Sequence, residues 1–321
     1  MTRILFITAT RIGDAVLFSG PLDHLARTYP DAEITVACGP LAAPLFRAAP
    51  GVAEVIVMAK GRAGGHWIDL WRRTAARRWD LVVDMRGSLT GWLLRAGARK
   101  ANRRIPGHVH RHRVIEAAAV LGLDPPPAPR LWLDDAALTK ARNLLPSDRP
   151  VIALSPAAAA PFKEWPADRF AALAEAVTKP GAALEGATVA LFGGPGDEAT
   201  TGAVASRINS TDVIDLAGQL TIAETGACLA QARLFVGNDS GLMHMAAAAG
   251  VPTLGLFGPT DEGVYGPWGD HARSVRAGGA VTEAERGRLK NAGESLMGGL
   301  DVETVLEAAN ALITETADYS R

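Results

Sequence analysis

The stretch LFVGNDSGLMHMAAAAGVPTLGLFGPTD, Leu234–Asp261, sets an apolar run, a Gly-Asn-Asp-Ser-Gly turn, a small-residue helix pattern and a second apolar run end to end. Continuous apolar strands joined by a helix are the signature of a parallel sheet buried on both faces. At the first strand-to-helix turn, Ser240, Gly241 and the first helical N–H groups can meet an anion with little steric obstruction. The second strand ends in Gly258-Pro259-Thr260, a loop opening on the same edge, so the pair of loops makes a site for a nucleotide diphosphate. Two plainer readings stand beside this one. Asp239 or Ser240 can simply cap the helix, and His244, one turn in, fits a satisfied core histidine as well as a ligand contact.

The same alternation fills the chain. ILFIT (4–8), EITVAC (33–38), EVIVMA (54–59) and DLVVDM (80–85) are separated by helical patterns such as Pro21–Tyr29. It restarts with VIALSP (151–156), TVALFG (188–193), VIDLAG (213–218), LFVGND (234–239) and PTLGLFG (252–258). The turn-rich LPSDRP (145–150) divides the two series, which predicts an α/β chain of two Rossmann-like domains, 1–148 and 149–321, facing across a cleft. DVETVLEAANALI (301–313) predicts a last amphipathic helix with Asp301 as its N-cap.

Composition bounds the function classes. The 321 residues are 48% hydrophobic and 21% charged, as in a globular protein. Cys38 and Cys228 have no metal-ligand spacing, so neither a disulfide framework nor a zinc site is expected. Arg11 and Asp14 interrupt the first apolar run, which argues against a signal peptide, and no apolar stretch reaches the roughly 18–20 residues of a membrane span. The expected location is the cytoplasm. Residues 1–150 hold 22 Lys and Arg against 13 Asp and Glu, a net +9, whereas the remainder is −10. The first half is suited to an anionic partner.

Asp14 lies in TATRIGDAVL (8–17), where the first strand turns into the first helix. A carboxylate there repels phosphate, and the G-x-G-x-x-G of a nicotinamide-dependent oxidoreductase is missing. It serves either the helix macrodipole or catalysis. In SPAAAAPFKEWPADRF (155–170), Lys163 sits between Pro161 and Trp165-Pro166, placed to reach a phosphate or merely to lie on the surface. FGGPGDEATT (192–201) carries Asp197 and Glu198, carboxylates able to accept ribose hydroxyls. RAGARKANRRIPGHVHRHR (95–113) concentrates Arg95, Arg99, Lys100, Arg103, Arg104, Arg111 and Arg113. Without interleaved aromatic residues or an accompanying motif, it reads as a surface for a phosphorylated or acidic acceptor rather than for nucleic acid. His108, His110 and His112 give only a faint metal-site pattern.

Taken in order, RIGDAVLFSGPL, KEWPADRF, FGGPGDE and above all GNDSGLMHMAAAAGVPTLGLFGPTD resemble glycosyltransferase family 9, the lipopolysaccharide heptosyltransferases and their relatives, over essentially the whole chain. The resemblance implies a GT-B fold, with an acceptor-binding first domain and a donor-binding second. It implies Asp14 as general base and Lys163 as the phosphate-contacting lysine, with Glu198 near the donor's ribose or sugar. Asp239, Ser240, Gly241, His244, Gly258, Pro259 and Thr260 form the donor motif. Acceptor contacts fall to Thr10, Gly13, Arg99, Arg103 and Arg104. The family's N-terminal motif usually carries Arg or Lys and then Ser before Gly-Asp, whereas this chain has Thr8 and Thr10, and the Pro-Gly turn ahead of the lysine is replaced by Ser155-Pro156-Ala157.

The expected activity is inverting, metal-independent transfer of a heptose-like sugar from an ADP-linked donor to a lipopolysaccharide core or lipid A-linked acceptor. No cofactor is expected, and the anionic face of the inner membrane is the expected peripheral partner. Another nucleotide sugar, a different acceptor, or a non-catalytic nucleotide-sugar binding protein are the alternatives.

Overall fold

The computed structural model describes residues 1–59, 61, 64–102, 111–209, 211–278 and 295–317. It divides into two compact units, Met1–Trp132 and Leu133–Arg321. In the first, β1 (Arg3–Ile7), β2 (Glu33–Cys38), β3 (Val52–Val57), β4 (Arg78–Asp84) and β5 (Arg95–Ala101) form a parallel sheet in the order β3-β2-β1-β4-β5. Leu5 of β1 stands opposite Thr35 on one side and Val82 on the other. Ile4 to Ile7 are fully buried, which is why this strand reads as an unbroken apolar run. The helices are α1 (Ile12–Leu17), α2 (Ser19–Thr28), α3 (Gly65–Thr74) and α4 (Arg113–Leu121). Leu5, Ile7, Leu70, Trp79 and Val82 share one core cluster.

The second unit runs α5 (Asp135–Leu144), β6 (Val151–Ser155), α6 (Ala167–Thr178), β7 (Thr188–Leu191), α7 (Glu198–Ala205), β8 (Val213–Asp215) and α8 (Ile222–Leu229). It continues through β9 (Leu234–Asn238), α9 (Gly241–Ala248), β10 (Thr253–Phe257), α10 (Glu262–Tyr265), β11 (Ala272–Arg276) and α11 (Val302–Glu315). Its parallel sheet has the order β11-β10-β9-β6-β7-β8, the doubly wound arrangement. Trp165 and Phe170 meet edge to face, ring centroids 5.0 Å apart, at the centre of its core.

Each apolar run forms a strand. β5 and β11 escape a sequence reading because RAGARKA and ARSVR are polar edge strands without an apolar run or a clean alternation. Asp301 caps α11, its Oδ1 accepting the Thr304 N–H at 2.7 Å. The helix ahead of the 145–150 turn, α5, packs on α8 and so lies with the second unit, which begins before the expected 148/149 boundary. α5 buries the small residues Ala137 and Ala141. Burial pushes the Cys38 thiol up to about 12 and the Cys228 thiol to about 11, so both are poor nucleophiles.

Asp134 caps α5 by accepting the Ala137 N–H at 2.7 Å. Asp134→Ala is expected to lower stability by about 1 kcal/mol, read in urea unfolding. An unchanged midpoint would show that α5 is held by packing alone.

Candidate functional site

In the second unit, chain order reverses between β6 and β9, the place where open α/β sheets bind ligands. The segment after β6 carries Lys163 at the end of a short 3₁₀ turn, Pro161–Lys163; Asp239 follows β9 directly. Lys163 Nζ lies 2.6 Å from Asp239 Oδ2, with both side chains mostly buried. Asn238 holds the two loops in register. Its Nδ2 donates to the Pro156 carbonyl at 2.6 Å, and its Oδ1 accepts the Trp165 N–H at 3.1 Å.

Ser240 occupies the N-cap of α9, yet its side chain makes no cap bond. Since Asp239 is engaged with Lys163, neither cap candidate blocks the helix N-terminus. The Oγ atoms of Ser240 and Ser155 and Oγ1 of Thr260 are buried at the ends of β9, β6 and β10 without a hydrogen-bond partner among the described residues. Buried hydroxyls in native proteins nearly always have partners, so three at one sheet edge indicate a place for a polar ligand. His244 is buried in α9.

The Gly258-Pro259-Thr260 loop is held by Arg276, which no sequence signal marks because it closes a polar edge strand. Its guanidinium donates to the Gly258 carbonyl at 2.7 Å and the Thr260 carbonyl at 2.5 Å and pairs with Glu262. Burial lowers its pKa from the usual arginine value, against the opposing pull of Asp261. Gly258 backs onto the Met297 sulfur, where a Cβ would collide.

Glu198 opens α7 with both carboxylate oxygens accepting the Gly196 N–H, at 2.9 and 3.1 Å. Its own N–H and that of Gly196 hold its pKa below the ordinary Glu value. The carboxylate covers Gly218, whose φ of +69° and lack of a Cβ both matter, because a side chain there would strike it. Glu164, beside Lys163, accepts the Ala158 N–H at 3.1 Å. Burial raises its pKa, the Ala158 bond opposes this, and Asp197 adds to the rise.

In the first unit the reversal falls between β1 and β4. Asp14 sits in the first turn of α1, whose N-cap, Arg11, makes no side-chain cap bond. Its Oδ1 lies 3.7 Å from the Arg113 guanidinium, which also stacks over Phe18 at 5.0 Å and pairs with Glu116. A quarter of the Asp14 side chain remains accessible. Gly13 precedes it in α1, and Thr10 packs against Gly39, where a Cβ would come within 2.6 Å of the Thr10 Cα. At the end of β4, buried Asp84 accepts the N–H groups of Arg86 and Ser88, at 2.9 and 2.7 Å, and the Ser88 hydroxyl at 2.6 Å. Arg113 and Asp84 belong to motifs the sequence displays, but their partners are distant in the chain or internal to a turn.

Arg99, expected to meet an acceptor, turns its guanidinium onto the carbonyls of Gly91, Ala96 and Leu94. On a strand beside a tight turn, those carbonyls are nearer than any external anion. Arg103, Arg104, His108 and His110 lie outside the described residues. His112 caps α4, its Nδ1 accepting the Val114 N–H at 3.2 Å.

Residues 81–294 match the model of glycosyltransferase family 9 (heptosyltransferase), and the chain belongs to that family. It is similar to lipopolysaccharide heptosyltransferase 2 of Salmonella typhimurium, 26% identical over 98% of this chain and 99% of the relative. Lipooligosaccharide heptosyltransferase 2 of Haemophilus ducreyi is likewise 26% identical, covering 97% and 99%. Among solved structures it resembles the family 9 glycosyl transferase of Veillonella parvula, with a TM-score of 0.82 and 23% identity over 98% of each chain. The E. coli ADP-heptose lps heptosyltransferase II gives 0.77 and 24%, over 98% and 100%. These likenesses show the fold as GT-B, and family membership makes the protein a glycosyltransferase.

Glu164 supplies a pH test. With its folded-state pKa raised, the stabilisation it gives is present below the ordinary Glu value and lost as pH rises through the raised one. Glu164→Gln keeps an acceptor for the Ala158 N–H and removes that loss. The melting temperature of wild type is therefore expected to fall behind the variant's as pH climbs from about 4 to 7; parallel profiles would overturn the assignment.

Proposed function

We propose that this family 9 glycosyltransferase moves a heptose-like sugar, with inversion and without a metal, from an ADP-linked donor to a hydroxyl of a lipopolysaccharide core acceptor. The observation that carries the reading is the sheet edge of the second unit. There Lys163, the uncapped α9 and three hydroxyls without a partner among the described residues offer a cation and hydrogen bonds to a diphosphate. ADP as the nucleotide is supported by relatives such as the E. coli heptosyltransferase WaaC with ADP, similar in fold at a TM-score of 0.72 and 19% identity.

In this mechanism the acceptor oxygen attacks the anomeric carbon, and its proton passes to the Asp14 carboxylate. The bond from that carbon to the β-phosphate oxygen breaks on the opposite side, and its electron pair leaves with ADP. A single displacement inverts the anomeric centre. The transition state is oxocarbenium-like by analogy with glycoside hydrolysis. Lys163, steadied by Asp239, and the α9 N-terminus meet the negative charge that grows on the leaving diphosphate. Glu198 and His244 are assigned to the donor, as are Ser240, Gly241 and the Gly258-Pro259-Thr260 loop. Thr10, Gly13, Arg103 and Arg104 are assigned to the acceptor, while Arg99 supports its turn instead. The enzyme works in the cytoplasm against the inner membrane, where its lipid-linked acceptor is anchored. Among the described residues, no helix is long and apolar enough to cross a membrane.

Two variants test the reading. Asp14→Asn is expected to slow transfer by about 10²–10⁴-fold while ADP binding persists; an unchanged rate removes Asp14 as the base. ADP at about 100 times its dissociation constant should stabilise wild type by roughly 2.7 kcal/mol, and Lys163→Ala should need more ADP for the same effect. Preference for UDP or GDP would keep the reaction class and discard ADP-heptose.

A further inference from the structure

The described residues expose ten large apolar side chains, and five of them, Ile68, Trp71, Leu89, Trp92 and Leu93, belong to α3 and the turn after β4. These two elements pack against each other. On α3, Ile68, Trp71 and Arg72 are spaced i, i+3, i+4 and share the outer face, while Leu70 and Thr74 are buried. In the turn, Thr90, Gly91 and Leu94 point inward, leaving Leu89 81%, Trp92 53% and Leu93 70% exposed. Scattered apolar residues on a surface need no explanation, but a contiguous group with two tryptophans does.

The display is held rigidly. Buried Asp84 ties down the N–H groups of Arg86 and Ser88 from below, and Gly91 lies against the same carboxylate, with room for a Cβ only at 3.3 Å. Arg99 grips the carbonyls of Gly91, Leu94 and Ala96. Two charged side chains thus brace a turn whose outward residues are apolar.

The rim identifies the partner. Arg86 precedes the turn in the chain, Arg95 follows it, and Lys100 lines one recess with Trp92, all three exposed, as are Arg72 and Arg73 on α3. Arg72 is offset by Asp69 and Arg73 by Glu54, and Arg86 stacks over Trp67 at 4.7 Å within electrostatic reach of Asp84 and Asp14, but Arg95 and Lys100 form no ion pair with a described residue. The unit Met1–Trp132 holds 19 Lys and Arg against 10 Asp and Glu, a net +9. Pairing two copies through this patch would set one cationic rim against another, which disfavours self-association.

We infer that Ile68, Trp71, Leu89, Trp92 and Leu93, flanked by Arg95 and Lys100, dock the first unit onto an anionic phospholipid bilayer. The tryptophans sit at the headgroup level, the aliphatic chains reach the acyl boundary, and the cations face the lipid phosphates. This rests on the reading that the acceptor is membrane-anchored, and it identifies the surface that brings the enzyme to it.

The test uses the full chain with vesicles of phosphatidylcholine alone and of equimolar phosphatidylcholine and phosphatidylglycerol, read by co-sedimentation and by quenching of tryptophan fluorescence with brominated lipid. Binding is expected only with phosphatidylglycerol. Arg95→Gln and Lys100→Gln should each weaken it about fivefold, and the triple variant Leu89→Ser, Trp92→Ser, Leu93→Ser at least about thirtyfold. Trp92→Phe should remove part of the quenching. Melting temperature and ADP binding of each variant confirm folding, and transfer to a detergent-dispersed acceptor should stay at the wild-type rate. Binding that ignores the triple variant overturns the proposal, as does an oligomer that the same variant dissolves without any lipid effect. Failure of ADP binding or transfer in wild type would instead sink the proposed reaction and leave the vesicle result standing by itself.

Discussion

The buried amide of Asn238 joins the two loops on which the proposed donor site depends. It lies at the end of β9 with no accessible surface, and it spends one donor on the Pro156 carbonyl and its acceptor on the Trp165 N–H. A buried amide left unpaired costs about 1–3 kcal/mol, so both loops are held to the geometry that satisfies it. With the loops so placed, Lys163 comes within 2.6 Å of Asp239. The Trp165 indole then reaches the Leu300 carbonyl at 2.8 Å, carrying the constraint to the start of α11.

The two units solve the same topological problem with opposite chemistry. In the second, the sheet edge ends in small residues, hydroxyls and one lysine, a surface that attracts phosphate. In the first, the corresponding edge ends in Asp14 and Asp84, which repel it. Asp84 is consumed internally by the Arg86–Ser88 turn, whereas Asp14 keeps part of its surface open beside Arg113. The proposed reaction, with a base for an acceptor hydroxyl and a cradle for a leaving diphosphate, calls for this division of charge. The global charge of the chain runs the opposite way, +9 in residues 1–150 and −10 in the remainder, so this division is local to the two sheet edges.

Arg276 and Arg99 direct their guanidinium donors at the protein's own backbone. Each turns inward onto main-chain carbonyls and shapes a loop, Arg276 the Gly258–Thr260 segment and Arg99 the turn that bears Trp92. A guanidinium carries several donors in a fixed plane and suits clusters of carbonyls that no backbone N–H can reach.

The sequence by itself determined the buried strands, the cap of α11 and the positions of the site motifs, because strand burial and helix capping act over a few neighbouring residues. IALS and FVGN could only be interior strands, and GNDSG could only be a tight turn before a helix. Tertiary structure decided what those local rules do not reach. Edge strands β5 and β11 depend on a neighbour for their hydrogen bonds, so their polar residues carry no periodic signal. α5 packs on α8, an element far away in the chain, which no local pattern announces. Pairing Lys163 with Asp239, Arg113 with Asp14 and Arg276 with two carbonyls needs distances that exist only after the sheets form, since charge interactions fall off with separation in space and take no account of separation in sequence.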